Sequence, residues 1–336
     1  MRLPPSYPLP GGRRVSRRRA TQGVTATAVV VGLLLWWLLP VGADSYPHGP
    51  VTVATGVPAG VYDKYGQLLA PVLQKDLPGE HVRLLPSQGS VQNIQYVADG
   101  RADFTFAQAD AVADFHGPGR SHLQAVARLY DDYMQLVVPS GSSVTSAHGL
   151  KGLRVGVGQP GSGVNLIARR LLTAAGLDPD KDLTPVSTGI DNAPRMLKEG
   201  KLNAFFWSGG LPTIAVQALT VNFPVKLVEL GDLLPQLHHL GQSADYYRAA
   251  LMPSDAYPRM SDERAVPTIA VANLLITTDR EDAEVVRRVT QAVIDSRDRI
   301  GAVVHSAQSV DLRTAIFTDP LPLHEGARRY YRSLKP

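Results

Sequence analysis

Three times along this chain a short β-prone run passes through a glycine- and serine-rich turn into a segment with helical periodicity. Val51–Thr55 leads into Gly56-Val57-Pro58-Ala59-Gly60, Val82–Leu85 into Ser87-Gln88-Gly89-Ser90, and Leu153–Gly158 into Gln159-Pro160-Gly161-Ser162-Gly163. That alternation points to an α/β fold with helices packed on strands. After the first turn, Val61, Tyr65, Leu68, Leu69, Val72 and Leu73 fall on one helical face, with Pro71 expected to kink it. Val91, Ile94, Val97 and Ala98 mark a short helix closed by Gly100, and Phe104–Ala107 reads as a third strand. Leu123–Tyr130 and Met134–Pro139 read as two further strands.

The second series adds a helix from about Ser162 to Ala175 and short strands near Val186, Ala204–Trp207 and Val225–Leu230. A long β-prone run at Thr268–Thr278 and a helix with Val286, Val289 and Val293 on one face complete it. With 336 residues, about two domains are expected. The mid-chain switch and late return suggest two lobes, one of residues 51–137 plus 268–336 and the other of 138–267. Two segments would cross between them, near Leu129–Pro139 and Pro267–Leu275. In such folds a ligand lies between the lobes, where strands end and helices begin.

The whole chain has 34 basic and 30 acidic side chains, a net of +4 that invites a nucleic-acid reading. The distribution argues against it. Residues 1–43 hold six arginines (Arg2, Arg13, Arg14, Arg17, Arg18, Arg19) and no acid, which leaves 28 basic and 30 acidic residues in 44–336. The body is therefore mildly acidic and has no basic footprint for nucleic acid. Ala20 to Ala43 is uncharged throughout and contains VTATAVVVGLLLWWLL. Basic residues, an apolar run and Val41-Gly42-Ala43 form a signal-peptide pattern with a cut after Ala43. An uncleaved N-terminal anchor is the other reading, since the run approaches a bilayer span. Both place the body outside the cytoplasm, secreted or tethered to the membrane by this segment. With no cysteine there is no lipoprotein anchor, disulfide, thiolate metal site or thiol catalysis.

The turns are the candidate site. Thr55-Gly56…Gly60-Val61-Tyr62 would bring free backbone N–H groups to a carboxylate or phosphate. Read blandly, it is an ordinary βα turn. Ser90 reads as an N-cap or as a ligand donor. Gly156-Val157-Gly158-Gln159-Pro160-Gly161 fits G-x-G-x-x-G, but its place in an exported second lobe argues against a dinucleotide. Ser162 can cap the helix there and contact a carboxylate. Gln108 and Asp110 stand just past a strand end, facing a cleft or capping the next helix, and Trp207 offers an apolar wall or core packing. No G-x-S-x-G, H-E-x-x-H or S-x-x-K set appears, and the nine histidines show no metal-ligand spacing. We therefore expect no enzyme, cofactor or metal.

Taken in order, T-G-x3-G-x-Y (Thr55–Tyr62), G-S-V-x-N (Gly89–Asn93), D-G-x-x-D (Asp99–Asp103), Q-x-D (Gln108–Asp110) and L-K-G-x-R-V-x-V-G-x-P-G-S-G (Leu150–Gly163) resemble the TAXI family. These are the TRAP-associated extracytoplasmic immunogenic solute-binding proteins. Glu199–Phe206 and Val266–Val271 extend the likeness, which covers about 51–330, while Asp63, Val164 and Asn203 depart from the family pattern. The resemblance implies a type II periplasmic-binding-protein fold closing over a small organic acid or amino acid, glutamate-like ligands being typical. It also implies delivery to a TRAP-type membrane permease. Carried over, Thr55, Gly56, Gly60, Tyr62, Ser90, Val91, Asn93, Gln108, Asp110, Ser162, Gly163 and Trp207 would lie nearest the ligand. The rival readings are an orphan sensory binding domain and an exported hydrolase using Ser90 or Ser162. The hydrolase needs a histidine within reach, from His81, His116 or His148.

Overall fold

A computed structural model describes residues 49–77, 81–258, 260 and 264–334. The leader expected over 1–43 lies outside the described residues. No helix among those described is long and apolar enough to cross a membrane.

The first unit runs β1 (Val51–Ala54), α1 (Val61–Asp76), β2 (Val82–Leu85), α2 (Ser90–Ala98), β3 (Phe104–Gln108) and α3 (Ala109–Asp114). β1 pairs in parallel with both β2 and β3. β1 and β3 are buried at every position, as expected of strands covered on both faces. Helix α1 buries Tyr65, Leu69 and Leu73, three of the six residues on the expected stripe. Pro71 is exposed and the helix continues through it to Asp76.

Where two strands were expected, one 17-residue strand stands: β4 (Leu123–Pro139) runs straight through Asp131-Asp132. Both acids are accommodated locally. Asp131 pairs with Arg128 and Arg248, each at 2.6 Å, and Asp132 turns inward to a side-chain amide. The second unit follows: β5 (Arg154–Gly156), α4 (Gly163–Ala174), β6 (Thr184–Val186), α5 (Ala193–Lys198), β7 (Ala204–Gly209), α6 (Ile214–Asn222) and β8 (Val225–Val228). After α7 (Leu234–His238) come β9 (Tyr247–Met252) and the 13-residue β10 (Val266–Thr278).

These strands form one ten-stranded sheet in the order β2-β1-β3-β10-β4-β7-β5-β6, with β8 on β4 and β9 on β10. β4 and β10 are the antiparallel spine. The later half of β10 joins β3 and the start of β4, and its earlier half joins β9 and the middle of β4. The end of β4 then pairs with β7 and β8. The crossing segments expected from sequence are thus two paired strands that belong to both wings. Their ladder slips between Ala272 and Leu274, at Asn273. Such irregularities re-aim side chains.

The C-terminal helices close the first wing. α8 (Ala283–Asp295) is capped by Asp282, whose carboxylate accepts from the Glu284 and Val285 amides. It buries Val286, Val289 and Val293 as its periodicity requires. α9 (Arg297–Gly301) and α10 (Glu325–Ser333) follow, the latter capped by His324. Gly326 sits so close to α8 that a Cβ there would lie 2.1 Å from the Ala283 carbonyl and 2.8 Å from the Arg287 nitrogen. Both clashing atoms are backbone, so the helices must separate to admit a methyl. Gly326→Ala should therefore destabilise the protein by about 1–3 kcal/mol, read by urea denaturation. An unchanged midpoint would show that the helix pair has slack.

Candidate functional site

One cavity collects the turns that the sequence singles out. It lies where β1, β2 and β3 of one wing end against the loops after β5, β6 and β7 of the other, over the β4/β10 spine. Its volume is about 50 Å³, room for a few water-sized groups. Helix α2 begins on one side at Gly89-Ser90, and α4 begins opposite at Ser162-Gly163. The two ends nearly touch. The Gln92 amide donates to the Gly161 carbonyl at 2.9 Å. Two helix N-termini thus place their partial positive charge on the same small space.

Gln108, at the end of β3, spans the floor. Its Nε2 donates to Asp132 Oδ2 at 2.8 Å and to Ser208 Oγ at 2.7 Å, so one amide ties three strands together. Its backbone N–H donates to Ser90 Oγ at 3.2 Å. The Tyr62 ring stacks on Phe106 at 5.6 Å, and its hydroxyl donates to Asn273 Oδ1 and lies 3.1 Å from Ser90 Oγ. Trp207 donates through its indole N–H to Thr213 Oγ1 at 2.9 Å and presents its ring as a wall. Two buried acceptors on the floor, Gln108 Oε1 and Asp132 Oδ1, have no hydrogen-bond partner.

The NMT1-like family model matches residues 53–333, essentially the whole described body. The chain belongs to the NMT1-like family. Its fold is also that of solved extracytoplasmic binding proteins. A structure described as a periplasmic transporter superimposes with a TM-score of 0.52 at 13% identity, covering 86% of this chain and 93% of that one. The periplasmic binding protein BugD superimposes with a TM-score of 0.51 at 16% identity, covering 78% of this chain and 91% of that one. The NMT1-like chain shares their two-lobed α/β architecture.

Of the residues singled out from sequence, Gly56, Gly60, Tyr62, Ser90, Gln108, Ser162, Gly163 and Trp207 line the cavity of this NMT1-like protein. Four stand apart from it. Thr55 is buried behind the first turn, and Val91 is 37% exposed on α2. Asn93 is fully buried, its amide donating to the Thr55 and Phe106 carbonyls at 2.6 and 2.8 Å while its oxygen accepts from Ser87 Oγ at 2.6 Å. It pins together the ends of β1, β2 and β3 that carry the cavity loops. Asp110 turns away to accept from the Tyr247 hydroxyl at 2.6 Å, with Arg170 at 3.6 Å. The serines considered as nucleophiles have other work. Ser162 Oγ caps α4 by accepting from the Asn165 amide at 3.0 Å and donates to the Gln159 carbonyl at 2.7 Å. Neither Ser90 nor Ser162 has a histidine among its hydrogen-bond partners.

Asp132, Ser208 and Thr188 also line the cavity and Asn273 supports it, although none is among the ligand-binding residues expected from sequence, where Asp131-Asp132 and Asp110 read as carboxylates that could pair as acid and base but are usually solvated. A signal for Asp132 did exist. Inside an uninterrupted strand the side chains alternate, so one of two adjacent acids must face inward.

Burial dominates the titration of Asp132. It raises the carboxyl to about 7, against the amides of Gln108 and Asn273, which pull it down, and with the charges of Asp131 and Asp110 adding to the rise. The folded state of the NMT1-like chain therefore keeps a proton on Asp132 that the unfolded chain has released between pH 4 and 7. Because the folded state binds more protons there, stability falls as pH rises through that window. The fall is up to roughly 4 kcal/mol. Asp132→Asn should match the wild type in thermal stability near pH 4 and exceed it at pH 8. Glu281, also raised to about 7 by burial, and buried Asp110 add to the fall, while His324, lowered by burial, opposes it. Parallel melting curves of the two proteins across pH 4–8 would refute this.

Proposed function

We propose that the chain is the extracytoplasmic receptor of a TRAP-type transport system, binding a small carboxylate or amino acid between lobes 51–137 with 268–336 and 138–267. One observation carries the reading: the N-termini of α2 and α4, from opposite wings, face one buried cavity over the β4/β10 spine. Helix ends of this kind hold an anionic group without a formal positive charge. The mechanism is closure. A ligand that touches both helix ends favours the state in which they approach, and β4 and β10 supply the shared strands about which the wings can move. The TAXI-like turn motifs at Thr55–Tyr62, Gly89–Asn93 and Leu150–Gly163 support the assignment to TRAP-type transport. So does the expected export leader.

A thermal-shift panel on the full chain, with amino acids, dicarboxylates and sulfonates, tests the reading. At about 100 times its Kd, a ligand that binds only the folded state adds roughly 2.7 kcal/mol. That raises Tm by roughly 5–10 °C for a body of this size. No shift with any member at millimolar concentration would overturn it.

A further inference from the structure

The cavity has a chemical polarity that the turn motifs do not show. Among the described residues that line it, Asp132 is the only charged one; no lysine, arginine or histidine faces the space. Asp132 is 3% exposed. Its Oδ2 accepts from Gln108, whereas its Oδ1 has no hydrogen-bond partner and neither has Gln108 Oε1; the side-chain amide of Asn273 on β10, itself without a partner at Nδ2, is a neutral donor facing the carboxylate. The surroundings offer no counter-charge. The hydroxyls of Tyr62 on α1 and Tyr130 on β4 face it, and its nearest charged neighbours are acids, Asp131 on its own strand and Asp110 on α3. Arg128 and Arg248 are taken by Asp131, and Arg170 by Asp110 and Asp114. A dianion would meet an acid with nothing to neutralise it. Two unpaired acceptors on a buried floor, one of them a carboxylate oxygen, suit a group with several N–H donors, which a protonated primary amine supplies.

Resting on the receptor reading above, we propose that Asp132 is the specificity-determining residue of the cavity. It receives the ammonium group of a ligand whose anionic end lies at the N-termini of α2 and α4. The ligand class is thus a small amine-bearing anion, and plain mono- and dicarboxylates are excluded. The residue has a cost consistent with this role. Ionised Asp132 is poorly solvated among these neighbours, and an ammonium partner supplies what the protein withholds.

Calorimetric titration of the full chain with matched pairs tests it: L-glutamate against glutarate, L-alanine against propionate, and taurine against ethanesulfonate. The amine of at least one pair is expected to bind, with its des-amino partner at least roughly a hundredfold weaker. Wild-type affinity for that amine should rise about tenfold per pH unit up to pH 7 and level off above it. Asp132→Asn should lose roughly a hundredfold for the amine and lose the pH dependence, while its melting temperature at pH 8 shows that it is folded. Equal affinity for both members of a binding pair overturns the proposal and leaves the receptor reading standing. So does a wild-type pH profile that is flat from pH 5 to 8. Failure of the whole panel to bind removes the receptor reading and this proposal together.

Discussion

Gly163→Val is expected to lower ligand affinity by at least roughly a hundredfold and to cost the free protein about 1–3 kcal/mol of stability. Gly163 opens α4 from one wing and faces Gln108 and Ser90 of the other. A Cβ placed there would lie 1.9 Å from Gln108 Oε1, 2.8 Å from its Cδ and 2.9 Å from Ser90 Oγ. Gln108 cannot yield cheaply, because its amide already holds Asp132 and Ser208. The valine either drives that side chain out or keeps the wings from meeting. In both cases the cavity is lost. Helix propensity adds only a few tenths of a kcal/mol relative to most residues, so the loss of stability comes from the displaced Gln108 contacts or the parted wings. Titration of the amine that the wild type binds, with small-angle scattering of both proteins, separates the outcomes. A Kd within threefold of wild type would show that the two helix ends need not approach.

Asn93→Ala should destabilise the protein by roughly 3–4 kcal/mol. The side chain is fully buried and makes three hydrogen bonds, two to main-chain carbonyls and one from Ser87. Alanine removes all three; the Thr55 carbonyl keeps Ser87 Oγ at 3.2 Å, while the Phe106 carbonyl loses its 2.8 Å donor and keeps only a 3.5 Å contact from Thr105 Oγ1. Each stranded buried group costs about 1–3 kcal/mol, and the volume left is too small to refill usefully. For a body of this size the melting temperature falls by about 10 °C. Calorimetry reads it directly; a drop under about 2 °C would mean that water enters and repairs the network. Because Asn93 holds the ends of three strands, the first-wing loops should loosen as well, and ligand affinity should fall with stability.

The α/β class, the three βα turns and the crossing of two long segments were all legible from local periodicity and turn chemistry. Those features are encoded over a few residues. The continuity of β4 was not legible, because Asp131-Asp132 looks like a break when read alone. What carries the strand through is remote: Arg248 on β9 for one acid and Gln108 on β3 for the other. The same remoteness hid Asp132 from the site, since its partners lie 24 or more positions away in the chain. Asn93 shows the converse. Its place in a recognisable motif marked it as important, yet the structure gives it the task of binding strand ends together rather than lining the cavity.

The late return of β10 bears on how the molecule can be made. That strand completes β3 in one wing and pairs with β4 and β9 in the other. Neither wing can reach its final hydrogen bonding until residue 278 has been synthesised, when five-sixths of the chain already exists. A fragment ending before Val266 leaves the inner edges of β3 and β9 open and the floor of the cavity without Asn273. Such edges invite pairing with another chain. Cutting the gene into two halves at the midpoint should therefore yield aggregates, whereas co-expressed pieces that share an intact β10 have the best chance of assembling. Folding of this protein is bound to be a late, collective event, not the sequential completion of two independent parts.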